Sequence, residues 1–185
     1  MGRRRTIDRD HVLAVAEGIV AQRGAAALTI DAVAKAAGIS KGGVQSSFGT
    51  KEGLIAAMLQ YWLQDYAQRA RALAGDDPSL SARIAAHAKV TRRDDEDTQR
   101  RAASFLALLL QTPEHLADMR QWYRVQAAGL HADDPETRRA RLAFLATEGA
   151  FFLRFFGLMP MGAAEWEATF TDIQGLIPSQ DSAVS

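Results

Sequence analysis

The 185 residues, 48% hydrophobic and 24% charged, have the composition of an ordinary folded protein and exclude a disordered chain. The absence of cysteine removes disulfides, thiolate metal sites, iron–sulfur clusters and thiol nucleophiles together. A net charge of zero conceals an asymmetry: residues 1–51 hold eight Lys/Arg against four Asp/Glu, and residues 52–185 hold fourteen against eighteen, the pattern of a polyanion-binding part joined to a non-binding one.

In chain order, the basic start "MGRRRTIDRD" has no apolar stretch or cleavage site after it, and no apolar run reaches the roughly 20 residues that span a bilayer. A cytoplasmic protein without membrane contact is expected. Val12, Val15, Ala16, Ile19 and Val20 recur at helical spacing, and Gly24 stands where a helix end favours glycine. Thr29 can cap a second helix whose Ile30, Val33, Ala34 and Ala37 share a face; Gly38 permits a sharp turn, and Ser40 can cap a short third helix. Thr50 opens a longer fourth with the stripe Leu54, Ile55, Met58, Leu59, Trp62, Leu63 and Tyr66, fading at "AGDDPS". Asp77-Pro78, Thr112-Pro113 and Asp134-Pro135 each pair a capping side chain with proline at the first helical position, and so mark three later starts. The acids of "RRDDEDTQRR" suit a helix N-terminus; successive residues diverge by about 100°, so they do not converge on a metal. After "LMPMG" a last helix, "AAEWEATFTDIQGLI", precedes a polar tail. No period-two alternation is sustained, so the expected class is all-α with about nine helices. The expected division is an N-terminal helix-turn-helix domain over 1–52, a larger helical domain over 53–178 and a tail over 179–185.

Residues 29–48 carry the functional signal: a short amphipathic helix, the turn "AGIS", and a second short helix anchored inward by Val44 and Phe48. A helix of that length fits the major groove, and with those anchors buried Lys41, Gln45 and Ser46 are left to face the duplex. Gln45 can bond adenine at N7 and N6, a pairing worth about 1–3 kcal/mol of discrimination. Gly42 and Gly43 are expected to expose backbone and allow close approach, while weakening the helix by roughly 1 kcal/mol each. Thr29, Ser40, Ser47 and Lys51 supply hydroxyls, helix-start N–H groups and a cation for phosphates. Arg3, Arg4 and Arg5 form a basic arm for the minor groove or the phosphates.

The stretch "LTIDAVAKAAGISKGGVQSSFGTKEGLI", with the helices on either side of it, resembles the tetracycline-repressor (TetR) family of bacterial transcription regulators over roughly residues 8–63. Thr29, Ala34, Ala37-Gly38-Ile39-Ser40, Gly42, Phe48, Lys51 and Glu52 carry the resemblance. It implies a repressor, released from DNA by a ligand bound in the larger domain, and a dimer formed through a four-helix bundle of the last two long helices. The chain departs from the pattern at Gln45-Ser46-Ser47, where members commonly carry tyrosine and then histidine or tyrosine. An altered sequence preference is expected; the alternative is a small-molecule-binding or protein-interaction dimer whose reader is altered or inactive.

Placed at 100° intervals, "ETRRARLAFLATEGAFFLRFFGL" separates into a bulky side, with Phe144, Phe151, Phe152, Phe155 and Phe156, and a small-residue side, with Ala146, Ala150, Leu153 and Gly157. The small side, with Trp166 and Phe170 of the last helix, is the expected dimer face. Glu148 stands amid the bulky side, where a carboxylate must find a partner or take up a proton. The readings are a structural pair with Arg141 or a tyrosine, a position at the interface edge, or a counter-charge for a lipophilic cation in a cavity also lined by Phe105, Leu109, Trp122, Tyr123, Phe144, Phe151, Phe152 and Phe155. His11, His87, His115 and His131 are scattered without metal-ligand spacing, and neither a phosphate loop nor a G-x-S-x-G elbow is present. The expectation is a non-enzyme without cofactor or metal, whose partners are palindromic double-stranded DNA, a second copy of itself and a small effector.

Overall fold

The computed structural model of the chain describes residues 7–77, 79–93, 96–110 and 113–177. Among them are nine α-helices, one short 3-10 turn and no strand. The helices are α1 (Arg9–Arg23), α2 (Ile30–Ala37), α3 (Lys41–Phe48), α4 (Lys51–Ala74), α5 (Leu80–Arg93), α6 (Glu96–Leu110), α7 (Pro113–Gln126), α8 (Pro135–Phe155) and α9 (Ala163–Leu176), with the 3-10 turn at Ala25–Ala27. No helix among the described residues is long and apolar enough to cross a membrane.

Side-chain oxygens start the N-terminal helices. Asp8 accepts from the His11 amide at 3.0 Å, Thr29 from Ala32 at 3.1 Å, Ser40 from Gly43 at 3.0 Å and Thr50 from Gly53 at 3.2 Å. Each such cap contributes about 1 kcal/mol. Gly38 ends α2 at φ 65°, a left-handed conformation that costs glycine nothing and turns the chain into α3. Two of the three expected proline starts are met by helices. Asp134 caps α8 through the Thr137 amide at 2.9 Å, and α7 begins at Pro113, though Thr112 lies outside the described residues. The third is corrected. Asp77 accepts from the Ser79 amide at 2.8 Å and the Ser79 hydroxyl at 3.0 Å, while the Ser79 oxygen takes the Ala82 amide at 3.1 Å. Ser79 is therefore the cap, and α5 starts at Leu80.

The chain forms two compact units, Met1–Asp65 with Arg100–His115, and Tyr66–Gln99 with Leu116–Ser185. This division falls elsewhere than the expected boundary after residue 52. Helix α4 runs unbroken through that point, and its Leu54, Ile55, Met58 and Leu59 are core residues of the first unit. In the same unit α2 packs on α1 and α3, burying Val12, Leu13, Ala16, Val20, Val33, Val44 and Phe48. In the second unit α5, α8 and α9 pack pairwise around Ile84, Ala88, Ala140, Ala143, Phe144, Ala150, Trp166, Phe170 and Ile173. The Arg92 fork holds Glu167 of α9, Nε to Oε2 at 2.8 Å, and the Trp166 indole donates to the Arg92 carbonyl at 3.2 Å.

Candidate functional site

The first unit holds the helix-turn-helix. Val44 is fully buried and Phe48 nearly so, which turns the opposite side of α3 outward and leaves Lys41, Gln45 and Ser46 exposed. Gly42 lies on that outer side with open space above it, whereas Gly43 does not. A methyl group on Gly43 would sit 3.0 Å from Ile7 Cδ1 and 3.3 Å from Ser40 Oγ, so its backbone faces its own unit, contrary to the expectation that it lies open to the duplex. Lys41 pairs with Asp31 of α2 at 3.0 Å, with both side chains more than half exposed. Such a pair is worth about 1 kcal/mol at most.

Thr29 and Ser40, which spend their oxygens as helix caps, are exposed and keep an O–H to donate. Lys51 is half-buried at the start of α4, and Ser47 is half-buried at the end of α3. The arm Arg3, Arg4 and Arg5 lies outside the described residues. A methyl on Gly53 would lie 2.2 Å from the Phe48 carbonyl oxygen, so only glycine lets α4 begin against the end of α3. Sequence reasoning missed Arg9. Its Nη1 donates to the Ser47 carbonyl, and its guanidinium carbon lies 4.4 Å from the Phe48 ring centroid.

The second unit holds the acid singled out in the sequence. Glu148 Oε2 accepts from the Tyr123 hydroxyl at 2.6 Å, and Oε1 lies 2.9 Å from Nε2 of His87, out of line with its ring N–H. The other nitrogen of His87, Nδ1, is bonded to the Tyr66 hydroxyl. Tyr66 of α4, His87 of α5, Tyr123 of α7 and Glu148 of α8 thus form one chain of polar contacts inside the unit. Aromatic rings enclose it: Trp122 meets Tyr66 at 5.3 Å and Tyr123 at 4.9 Å between centroids, and Phe144 meets His87 at 5.0 Å. Burial first, and the Glu148 charge second, push the Tyr123 hydroxyl far above its ordinary pKa, so it is a proton donor throughout the neutral range. The structural pair expected of Glu148 is therefore with a tyrosine and a histidine. Arg141 bonds the Leu130 carbonyl instead, at 3.0 Å. Sequence reasoning counted His87 as scattered; its place on the apolar face of α5, one turn from Ile84 and Thr91, was the available signal.

The other effector residues do not gather here. Phe105 and Leu109 are buried in the first unit. Phe151 packs on Phe155, and Phe155 on Trp166 at 5.5 Å, while Phe152 stacks on Phe156. Of the residues expected on a dimer face, Ala150, Trp166 and Phe170 are corrected to the interior of their own unit, where they touch α5 and α8 neighbours, and Ala146 packs against that core. Leu153 is 39% exposed and Gly157 is exposed. The apolar face that α8 leaves open is instead Leu142, Leu145 and Leu153, 39–58% exposed and set at helical spacing. The physical reason is geometric. A face buried in the unit centres on Ala143, Thr147 and Ala150, so what remains outward lies opposite, between the two sides that the sequence wheel distinguished.

Comparison with known proteins agrees with this geometry. Residues 12–58 match the family described as bacterial regulatory proteins, tetR family, and residues 81–178 match the tetracyclin repressor-like C-terminal domain. A search of curated proteins finds no match. Among solved structures, a transcriptional regulator from Rhodococcus sp. Rha1 is 21% identical, with 92% of this chain and 96% of that one covered and a TM-score of 0.73. The multidrug binding protein EbrR, complexed with malachite green, is 21% identical over 93% of this chain and 99% of its own, at 0.66. SmeT, the repressor of the Stenotrophomonas maltophilia multidrug efflux pump SmeDEF, is 17% identical over 97% and 94%, at 0.62. These likenesses concern the fold.

Proposed function

Because this chain belongs to the tetracycline-repressor family of DNA-binding transcription regulators, we propose that it is a cytoplasmic homodimeric repressor that reads a palindromic operator and leaves it when a small effector binds. The observation that carries the reading is the attitude of α3: with Val44 and Phe48 held inside, Lys41, Gln45 and Ser46 form an exposed, groove-sized surface. Gln45 specifies adenine, and Thr29, Ser40, Ser47 and Lys51 position the head on phosphates, with Arg3, Arg4 and Arg5 as an arm. Leu142, Leu145 and Leu153 meet a second copy, which places two heads on one duplex.

The effector site is the aromatic cluster around Glu148, and its ligand is a lipophilic cation. Among the described residues Glu148 is the carboxylate bonded to Tyr123 beside Trp122, and a cation there gains its charge together with the attraction of nearby aromatic rings. EbrR has been solved with malachite green and with ethidium. Release requires the effector to favour the conformation that does not bind DNA; switching nearly the whole population takes about 5.5 kcal/mol of differential affinity.

The decisive experiment is selection of bound sequences from a random duplex library at low and moderate salt. Recovery of a palindrome whose affinity drops when Gln45 is replaced by alanine, with non-specific binding unchanged, is the expected result. Sequence-blind binding alone, or none, would refute the repressor reading and leave the helical dimer with an inactive reader.

A further inference from the structure

We infer that Arg9 is a positioning residue for the reader helix, holding α3 at the angle from which Gln45 meets the duplex. Arg9 opens α1, where a cation has the wrong sign: the unpaired amides of a helix start favour an anion, and Asp8 and Asp10 supply it. The dipole of its own helix therefore does not favour it. Its guanidinium instead reaches α3, thirty-eight positions away in sequence, and makes two contacts on the last turn. Nη1 donates to the Ser47 carbonyl, one of the terminal carbonyls that an α-helix cannot pair internally. The guanidinium carbon lies over the Phe48 ring, 4.4 Å from its centroid. Both contacts complement the negative end of the α3 dipole, where a cation is favoured.

Helix α3 needs this brace. It has eight residues, two of them glycine, and only Val44 and Phe48 are buried. Past its last residue the turn is closed by the Gly49 amide, which donates to the Gln45 carbonyl at 2.8 Å. Gln45, Ser47 and Phe48 share that turn, so a turn that frays moves the base reader, while a turn clamped from α1 presents it in one orientation. Arginine is the side chain for this task. A planar fork can bond a carbonyl with one nitrogen while its face covers a ring, and a lysine ammonium, a point charge, cannot hold both contacts in that geometry.

The inference rests on α3 being the DNA reader, and the test separates the two ideas. Wild-type protein, Arg9→Lys and Arg9→Ala are titrated with the operator recovered by selection and with an unrelated duplex, from low to moderate salt. In parallel, amide exchange at Gly49 is followed in the free proteins. A brace predicts that Arg9→Lys, which keeps the charge, lowers operator affinity about tenfold, leaves the unrelated duplex and the salt slope unchanged, and speeds Gly49 exchange about tenfold. Wild-type behaviour of Arg9→Lys in both assays would overturn the inference, since charge alone would then suffice. Equal losses on both duplexes with a lowered Tm would also overturn it, by making Arg9 a general stabiliser. If the wild-type protein binds no operator, the repressor reading falls, and the Gly49 exchange rates still decide whether Arg9 clamps the turn.

Discussion

Replacing Tyr123 with phenylalanine removes one oxygen from the buried cluster and leaves the ring beside Trp122. The lost bond, 2.6 Å long and made to a carboxylate that is 18% exposed, is of the charge-assisted kind. Its removal costs about 2 kcal/mol, which for a chain of this length lowers Tm by roughly 4–8 °C at pH 7. The pH dependence carries a second signature. Tyr123 is held above its ordinary value of 10.0, so its contribution is complete below that pH and is lost as pH rises and the unfolded tyrosine ionises while the folded one stays protonated. The stability gap between wild type and Tyr123→Phe therefore closes by about 1.4 kcal/mol per pH unit above 10, and vanishes near about pH 11.4. Urea unfolding followed by tryptophan fluorescence from pH 7 to 11.5 measures that gap, and the subtraction cancels Tyr61 and Tyr66. A gap that stays constant above pH 10, or is absent at pH 7, would refute the reasoning.

Three further outcomes follow from the geometry. Gly53→Ala presses a methyl group against the Phe48 carbonyl at 2.2 Å, a backbone atom that must move by about 1 Å; a loss of about 1–3 kcal/mol, with weaker operator binding, is expected in thermal melts and gel shifts. Glu17, whose carboxyl is raised above 4.5 mainly by burial, destabilises the fold once ionised, so Glu17→Gln should raise Tm at pH 7 and leave it unchanged near pH 4. Leu145→Glu places a charge on the open face of α8, and sedimentation should find a monomer whose own melting is little altered; an intact dimer would locate the interface elsewhere.

Local signals read well from the sequence because they are settled within a turn or two of chain. Ser40 and Thr29 cap as their positions demand, Gly38 is left-handed, and the period that buries Val44 and Phe48 leaves Gln45 outside. Contacts between distant segments did not read. Nothing near His87 in sequence announces Glu148, sixty-one positions on, and Arg9 resembles any charged residue at a helix start until α3 is folded against it. The wheel for α8 found two apolar sides, but which of them the unit fills depends on where α5 and α9 lie, and that placed Ala150 inside. Ser79 supplanted Asp77 as a cap because a hydroxyl two residues on can both donate to the carboxylate and accept an amide.

The pairing of Lys41 with Asp31 bears on how such a protein would search a chromosome. The lysine on the outer side of α3 is already neutralised, so arbitrary duplex has little to offer it: displacing Asp31 gains one phosphate and strands one carboxylate facing the polyanion. Fewer counterions are released on non-cognate DNA, so dwell times there shorten, and the salt dependence of that background binding is shallow. On the proposed reading of Gln45 as base reader, its groove contacts offset the exchange at the operator. On that same reading, an ion pair worth about 1 kcal/mol at most to stability would widen the ratio between operator and background without adding a contact to the operator.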